Sequence, residues 1–270
     1  MAEEMKSIGP AELKVLQMDV LETLAEFLAG KGIPYSLACG TMLGAVRHKG
    51  YIPWDDDIDI YLLRADYDRL MRDFPQEYKH VRIASLERTP RWDKPYAKAY
   101  DARTVFVEHN NSRMRIGINI DLFPLDAVPD QAQDWLRYNR RRRFWQKLFQ
   151  LKMTRPDPRR SRTKNLALRA VQLLLLPVSA HFFAAFLDRL ARRYDGQRTE
   201  WLFETAMGLI QKDRFPRRVS QSLADYPFED RMFRGFADAD TYLSCAYGDY
   251  RKLPPEDKRV SHHDFQAWWR

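Results

Sequence analysis

The chain has 270 residues, of which 45% are hydrophobic, 13% aromatic and 30% charged, enough for one large domain or a core domain with a helical extension. Its two cysteines, Cys39 and Cys245, argue against a disulfide framework and against the usual four-ligand zinc site. The net charge of +8 indicates an anionic partner, which could be a nucleotide, a nucleic acid or an anionic lipid surface.

The sequence has no evident targeting or membrane-spanning segment. The first residues, MAEEMKSIGPAELK, carry acidic side chains and lack the basic-then-apolar order of a secretory signal. No run of about 20 apolar residues, the length that a transmembrane helix needs, occurs in the sequence. We therefore expect a cytoplasmic protein, either soluble or peripheral at the inner face of the membrane.

Hydrophobic periodicity predicts alternating helices and strands in the first half of the chain. The predicted elements are a helix from Pro10 to Gly30, a strand at 33–38, a turn at Gly40-Thr41, a short helix at 42–47, a strand at 57–62, a helix at 65–74, and strands at 81–86, 96–100, 104–108 and 118–123.

The middle of the chain is predicted to be helical. Residues 130–194 are expected to form two or three helices with a basic, proline-marked linker at 154–162. The apolar stretch 173–187 is interrupted by Pro177, which predicts two helical segments. We expect these segments to pack in the core, with membrane contact as the alternative.

The last part of the chain is predicted to contain a hairpin at 228–236, a helix at 239–247 and an irregular closing segment. We divide the chain into three parts. They are a core with the candidate site (1–129), a basic helical region (130–225) and a C-terminal segment that completes the domain (226–270).

The run D-I-D-I-Y-L at 57–62 alternates polar and apolar residues, which predicts a strand with Asp57 and Asp59 on one face. Asp121, inside another apolar run, would join them if the two strands are neighbours. Because like charges this close repel, we expect a cation to neutralise them. Carboxylates suit Mg²⁺ or Mn²⁺ that also bridges substrate phosphates.

The acidic segment has two other interpretations. A calcium-binding EF-hand loop starting at Asp55 would need glycine and glutamate at the positions that Ile60 and Asp66 occupy. The sequence therefore argues against an EF-hand. A solvated acidic turn remains the alternative to a metal site.

Several residues are candidates for binding the substrate. Gly40 and Thr41 precede a short helix, where backbone N–H groups can approach a phosphate, although the pair can equally be an ordinary turn. Arg47 and His48 could add positive charge to the same pocket or form an exposed basic turn. The further candidates are Trp54, Lys98 and His263, and for His263 a surface position is equally expected.

Three blocks of sequence carry a family resemblance. They are LACGTMLGAVRHKGYIPWDDDIDIYL, INIDLFPLD and YGDYRKLPPEDKRVSHHDF, and together they span most of the chain. This chain resembles the LicD family of phosphorylcholine transferases, which are similar to fukutin-type nucleotidyltransferases. The resemblance implies an α+β nucleotidyltransferase (polymerase-beta-like) fold with a mixed sheet flanked by helices. It maps the metal-binding carboxylates to Asp57, Asp59 and Asp121 and the family's Gly-[Gly/Ser/Thr] turn to Gly40-Thr41.

The resemblance also implies a reaction. Phosphorylcholine would pass from CDP-choline to a hydroxyl of a cell-surface glycan or lipid-linked glycan precursor, with release of CMP. Asp121 is then the candidate general base or a third metal ligand. Trp54 could contact the quaternary ammonium of choline, as could Tyr51, Trp92 or Tyr96. A CDP-polyol donor, as in fukutin-type enzymes, and transfer of the nucleotide itself remain alternatives.

Two other classes of protein are compatible with the positive charge. The arginine-rich middle of the chain could indicate a nucleic-acid enzyme, but no RNA-binding motif accompanies it, so a nucleic acid is not expected. The basic helices could also dock on an anionic membrane surface, either in a non-catalytic protein or to bring the site to a lipid-linked acceptor.

Overall fold

The structure, a computed structural model, describes residues 6–206, 214–259 and 265–270 and has a mixed α+β architecture. The helices are α1 (Pro10–Lys31), α2 (Cys39–His48), α3 (Arg64–Asp73), α4 (Ala132–Met153), α5 (Arg162–Leu174), α6 (Ala180–Ala191) and α7 (Ala239–Tyr247). The strands are β1 (Ser36–Leu37), β2 (Asp59–Leu63), β3 (Val81–Ala84), β4 (Ala97–Asp101), β5 (Thr104–Glu108), β6 (Asn119–Val128), β7 (Trp201–Glu204), β8 (Arg214–Pro216), β9 (Leu223–Phe228), β10 (Arg231–Phe236) and β11 (Phe265–Trp269).

The central feature is a seven-stranded mixed sheet built around the long strand β6. Strand β2 runs parallel to β6 along one side. On the other side, β4 pairs with the first half of β6 and β7 with its second half, both antiparallel. Strands β1 and β3 extend the sheet beyond β2 and β4, and β8 extends it beyond β7. The mixed sheet and flanking helices confirm the predicted α+β class.

Helix α1 shows how local sequence defines an element. Pro10 occupies the first helical position, where its missing N–H costs nothing, and Gly32 ends the helix with φ 60° and ψ 39°. The apolar residues that repeat at helical spacing are buried, among them Leu13, Val20 and Leu24. The predicted opening helix is therefore confirmed.

Two smaller sheets complete the strand pairing. Strands β9 and β10 form the predicted hairpin, and α7 covers the predicted range 239–247. Strand β11 pairs antiparallel with β5, with Phe265 opposite Glu108. The expectation of an irregular closing segment agrees with residues 248–259 but was wrong for Phe265–Trp269, which form a strand. Its proline and charge obscured a short strand whose pairing partner lies far away in the sequence.

The predicted helical region forms α4, α5 and α6, and a break at residues 175–179 separates the last two helices as expected. Phe183 and Leu187 on α6 are buried in a cluster with Phe149 of α4. By contrast, Leu173 and Leu174 are exposed. The expectation that the whole stretch 173–187 packs in the core was therefore wrong for its first part. Among the described residues, no helix is both long and apolar enough to cross a bilayer.

A buried ion pair fastens the helical region to the sheet. Arg64 at the start of α3 places its Nε 2.6 Å from Asp126 Oδ1 and its Nη1 2.9 Å from Asp188 Oδ1. Asp126 lies on β6 and Asp188 on α6. The Thr205 hydroxyl also donates to Asp126. One guanidinium therefore connects α3, β6 and α6.

Candidate active site

Three charged side chains lie side by side across the central sheet. Asp121 on β6 is directly opposite Asp59 on β2 in the parallel register, and directly opposite Lys98 on β4 in the antiparallel register. Residues opposite each other on paired strands project from the same face. The structure therefore brings together Asp59, Asp121 and Lys98, which lie far apart in the sequence.

Asp57 occupies a different position from the one predicted. Strand β2 begins at Asp59, so Asp57 lies in the loop before it and does not share a regular strand face with Asp59. At the start of the strand, Asp59 N–H donates to the Thr41 hydroxyl at 2.9 Å, and the Asp59 carbonyl accepts from Ala38 N–H. Asp57 still lines the same cavity as Asp121.

The electrostatics of Asp59 are unfavourable for an ionised carboxylate. Burial raises its pKa well above the usual range, and the negative charges of Asp57, Asp121 and Asp55 raise it further. Lys98 acts in the opposite direction but does not cancel these effects. The folded protein therefore favours the neutral form of the Asp59 carboxyl group.

Lys98 stands at the centre of a buried polar network. Its Nζ lies 2.7 Å from Asp121 Oδ1 and 2.9 Å from Glu108 Oε1, and it donates to Asn119 Oδ1 at 2.9 Å. Burial alone would lower the pKa of Lys98, but the two carboxylates outweigh it and raise the pKa well above the usual value. Lys98 therefore fixes the position of the Asp121 carboxylate.

Glu108 and Lys94 extend this network, and neither was a predicted site residue. Lys94 Nζ lies 3.4 Å from Glu108 Oε2. Burial would raise the pKa of Glu108, but Lys98 and Lys94 hold it well below its usual range. The only sequence signal for Glu108 was its position at the end of a predicted strand.

Asp57, Asp121 and Glu108 open onto a cavity of about 810 Å³, whereas the buried Asp59 is not among the residues that line it. Its walls combine the carboxylates of Asp57, Asp121 and Glu108 with the cations of Lys94 and Lys98. A cavity of this size can hold a small nucleotide-linked ligand. Its mixture of carboxylates and fixed cations suits a ligand whose phosphates are bridged by metal ions.

The basic linker between α4 and α5 closes one side of this cavity. Residues 154–160 line it, including the exposed Arg155 and Arg160. Asn111 and Gln172 donate to Thr154 O at 2.9 and 2.7 Å and thereby anchor the start of the linker. The sequence predicted this linker but gave no indication that it folds over the acidic strands.

Gly40 and Thr41 lie in the first turn of α2, so the predicted turn was wrong and the helix begins earlier. Thr41 is buried, and its hydroxyl accepts from Asp59 N–H. A Cβ at Gly40 would lie only 2.4 Å from Asp55 Oδ2. Gly40 therefore leaves room for the Asp55 carboxylate at the start of α2.

We expect Gly40→Ala to lower the activity of this site about tenfold without unfolding the protein, because the new methyl group must displace the flexible Asp55 side chain near Asp59. Alanine favours a helix over glycine by up to about 1 kcal/mol, which offsets the steric cost. Steady-state kinetics and thermal melting test this. Gly30→Ala is the matched control, since nothing lies within 4 Å of a Cβ there. Equal activity of both variants would contradict the prediction.

Arg47, His48 and Trp54 form a cluster of their own. Arg47 donates to His48 Nε2 at 3.0 Å and to Tyr250 O at 2.9 Å. The His48 and Trp54 rings meet edge to face at 6.3 Å, and the Arg259 guanidinium lies 5.7 Å from the Trp54 ring centre. Burial and Arg47 lower the pKa of His48. The described residues that line the cavity do not include these three.

The remaining candidates differ in position. Tyr96 lines the cavity, whereas Trp92 is fully buried and donates to Tyr96 O at 2.8 Å. Tyr51 is buried against Phe228. His263 falls outside the described residues.

A second cluster of possible metal ligands lies apart from the predicted carboxylates. Among the described residues, Asp19, His80 and Asp101 are the one set whose ligand atoms all lie within 4.8 Å of one another. Arg103 Nη2 lies 3.0 Å from Asp19 Oδ2 and 2.6 Å from Asp101 Oδ2. Since this guanidinium already pairs with both carboxylates, we interpret the cluster as a structural ion-pair network.

Comparison with known proteins agrees with the family resemblance. Residues 32–156, which include the acidic strands and the cavity linker up to Pro156, match the family described as LicD/FKTN/FKRP, nucleotidyltransferase domain. This part of the chain is therefore similar to the domain of that family.

Among individual proteins, the chain is 29% identical over 272 residues to the lipopolysaccharide cholinephosphotransferase LicD of Haemophilus influenzae, covering 98% of this chain and 99% of that protein. A shorter segment is 37% identical over 87 residues to an uncharacterized protein of Rickettsia prowazekii, covering 32% of this chain and 33% of the relative. The similarity to the Haemophilus protein thus extends beyond the family domain to the helical region and the C-terminal segment.

Proposed function

We propose that this protein transfers phosphocholine from CDP-choline to a hydroxyl of a lipopolysaccharide-type glycan or its lipid-linked precursor and releases CMP. The observation that carries this proposal is the pairing of Asp59 with Asp121 across parallel strands, beside a cavity with fixed cations. The full-length similarity to a lipopolysaccharide cholinephosphotransferase supports the transferred group and the acceptor. The family resemblance supports the donor.

Asp57, Asp59 and Asp121 offer the type of oxygen ligand that binds a divalent metal, but their ligand atoms do not all lie within 4.8 Å of one another in this structure. Asp59 is buried, and its pKa is raised first by that burial and then by the neighbouring charges of Asp57, Asp121 and Asp55. Oxygen ligands of this kind suit Mg²⁺ or Mn²⁺. We propose that Asp57, Asp59 and Asp121 hold the metal, which would offset charge on the donor's pyrophosphate.

The chain's own residues supply positioning and proton transfer. The acceptor oxygen forms a bond to the choline-bearing phosphorus, the bond from that phosphorus to the bridging pyrophosphate oxygen breaks, and CMP leaves with the electron pair. Asp121 takes the hydroxyl proton. Lys98 donates to Asp121 Oδ1 and so orients the carboxylate, leaving Oδ2 as the proposed proton acceptor.

We make two further proposals, one about the fold of the chain and one about its division into parts. We assign the nucleotidyltransferase (polymerase-beta-like) fold to the chain, supported by the family match and the mixed sheet. We also retain the division into 1–129, 130–225 and 226–270. Strands β7 and β8, within the second part, extend the central sheet, so we propose that the three parts form one folded unit.

We propose that the linker arginines Arg155 and Arg160 bind the donor's phosphates. Replacing both, in Arg155→Ala/Arg160→Ala, is expected to raise the KM for CDP-choline roughly tenfold with a smaller change in kcat. Both residues belong to the linker that lines the cavity together with the acidic strands. Steady-state kinetics at low and high salt provide the measurement, because screening should reduce the difference. Arg140→Ala/Arg143→Ala on α4 is the control, with the same change in charge outside the cavity lining. Equal KM values for the two double variants would argue against this role.

The function is tested by incubating the protein with CDP-choline, a lipopolysaccharide glycan acceptor and Mg²⁺ or Mn²⁺. We expect CMP release together with an acceptor that gains phosphocholine by mass spectrometry. An acceptor that gains CMP would indicate nucleotidyl transfer instead. Calorimetric binding of CDP-ribitol but not CDP-choline would reassign the donor, and transfer to an RNA end would overturn the glycan acceptor.

A further inference from the structure

Helix α5 and the loop after it carry large apolar side chains on the protein surface. Leu166, Leu173, Leu174 and Leu176 are between 67% and 79% exposed. Leu168 is the buried residue of this helix in the structure. Large apolar side chains that are exposed together in this way indicate an interaction site.

Basic residues are interleaved with these leucines. Arg162, Leu166, Arg169 and Leu173 follow one another at intervals of four, three and four residues, which places them along one side of the helix. No aspartate or glutamate occurs between residues 158 and 187. The exposed surface of α5 therefore combines apolar side chains with positive charge that acidic neighbours in this segment do not offset.

We propose that this surface docks on an anionic lipid bilayer. The α5 face lies parallel to the membrane plane. It is formed by Arg162, Leu166, Arg169, Leu173, Leu174 and Leu176. Its leucines enter the boundary between headgroups and acyl chains, and its arginines contact anionic headgroups. This pattern, apolar residues flanked by cations with no acids, is the one that interfacial helices use, and its charge selects an anionic lipid surface over a neutral one.

The α5 face is fixed relative to the active-site cavity. Lys152 Nζ on α4 donates to Leu175 O at 2.8 Å, and Gln172 on α5 donates to Leu151 O at 2.9 Å and to Thr154 O at 2.7 Å. The linker 154–160 lines the cavity and continues directly into α5. Docking would therefore hold the cavity close to the bilayer. If the proposed function is right, the bilayer is also where a lipid-linked acceptor is presented.

The test is co-sedimentation of the full chain with vesicles of phosphatidylcholine alone or of equal parts phosphatidylcholine and phosphatidylglycerol. We expect binding to the anionic vesicles that weakens with added salt. Leu173→Glu/Leu174→Glu should reduce this binding at least about tenfold. The control Val15→Glu/Met232→Glu adds the same charge at positions 67% and 60% exposed on α1 and β10, and should bind nearly as well as the unmodified protein.

Equal binding by the two double variants, or equal binding to both vesicle types, would overturn the proposal. Sedimentation velocity without lipid tests for a second copy as the occupant. If Leu173→Glu/Leu174→Glu converted a dimer to a monomer, the face would be a contact between copies and the proposal would be wrong. Vesicle binding requires no catalysis, so its failure is distinct from failure of CDP-choline transfer to a soluble acceptor, measured on the same samples.

Discussion

Asp59→Asn is expected to remove phosphocholine transfer, with a loss of at least about 100-fold in kcat, while making the metal-free protein more stable. The activity falls because the proposed metal loses a charged ligand, and about 2.7 kcal/mol of transition-state stabilisation corresponds to that factor. The stability rises because Asp59 is buried beside other carboxylates. An amide of the same size removes that repulsion, which we expect to raise the free energy of unfolding by on the order of 1 kcal/mol.

The sign of the pH dependence follows from the raised pKa of Asp59. The unfolded chain ionises this group near its ordinary pKa of about 4, whereas the folded protein keeps it protonated to higher pH. The folded state therefore loses stability as the pH rises from about 4 towards the folded pKa. We expect the stability advantage of Asp59→Asn to be small near pH 4 and larger near pH 7, measured by thermal melting.

Asp121→Asn serves as the contrasting variant. Asp121 forms an ion pair with buried Lys98 at 2.7 Å, so its loss should reduce both activity and stability. Mg²⁺ or Mn²⁺ should raise the melting temperature of the unmodified protein and have little effect on either variant. Full activity in folded Asp59→Asn protein would remove Asp59 from the proposed site, and a loss of stability would contradict the electrostatic account.

The second large effect is expected at Arg64, where Arg64→Met should lower the free energy of unfolding by about 3–5 kcal/mol. The side chain is 5% exposed and pairs with Asp126, which is 2% exposed. Removing the guanidinium leaves the Asp126 carboxylate buried without its cation. Denaturant unfolding measures the change, and Arg72→Met, which breaks the exposed pair of Arg72 with Asp73, should cost no more than about 1 kcal/mol.

A double variant separates two contributions to the loss of stability, the unpaired buried charge and the lost side-chain packing. Arg64→Met/Asp126→Leu should recover part of the stability, because no unpaired carboxylate then remains at Asp126. Asp188 keeps Arg192 as its partner, with Nε 2.7 Å from Oδ2. If Arg64→Met cost as little as Arg72→Met, the connection between α3, β6 and α6 would not stabilise the fold.

Local patterns were sufficient for many of the elements. The helical repeat of α1, the break between α5 and α6, and the hairpin of β9 and β10 each depend on residues close in sequence, so their prediction succeeded. The predictions failed where contacts between residues far apart in the sequence determine the local structure. The predicted turn at Gly40-Thr41 is helical, and Thr41 accepts a hydrogen bond from Asp59 N–H, which is remote in the sequence. Strand β11 pairs with β5, which is also remote in the sequence.

The site was predicted in part. Alternation identified Asp59, and an isolated acid in an apolar run drew attention to Asp121. The sequence predicted that Asp59 and Asp121 are adjacent only if their strands are neighbours, because strand order and register cannot be inferred from alternation. Lys98 was a candidate for binding substrate, but its contacts with Asp121 and Glu108 depend on β4 lying beside β6.

The order of the amino acids was enough to define most element types, the excess of positive charge and the acidic residues that carry the family resemblance, because these depend on local periodicity and composition. The folded chain was needed to establish that β2 and β6 run parallel with Asp59 opposite Asp121, that Lys98 balances part of their charge, and that the basic linker covers the cavity. The reason is physical. A carboxylate's pKa and its ability to share a metal depend on burial and on charges a few ångströms away, and chain folding sets those distances.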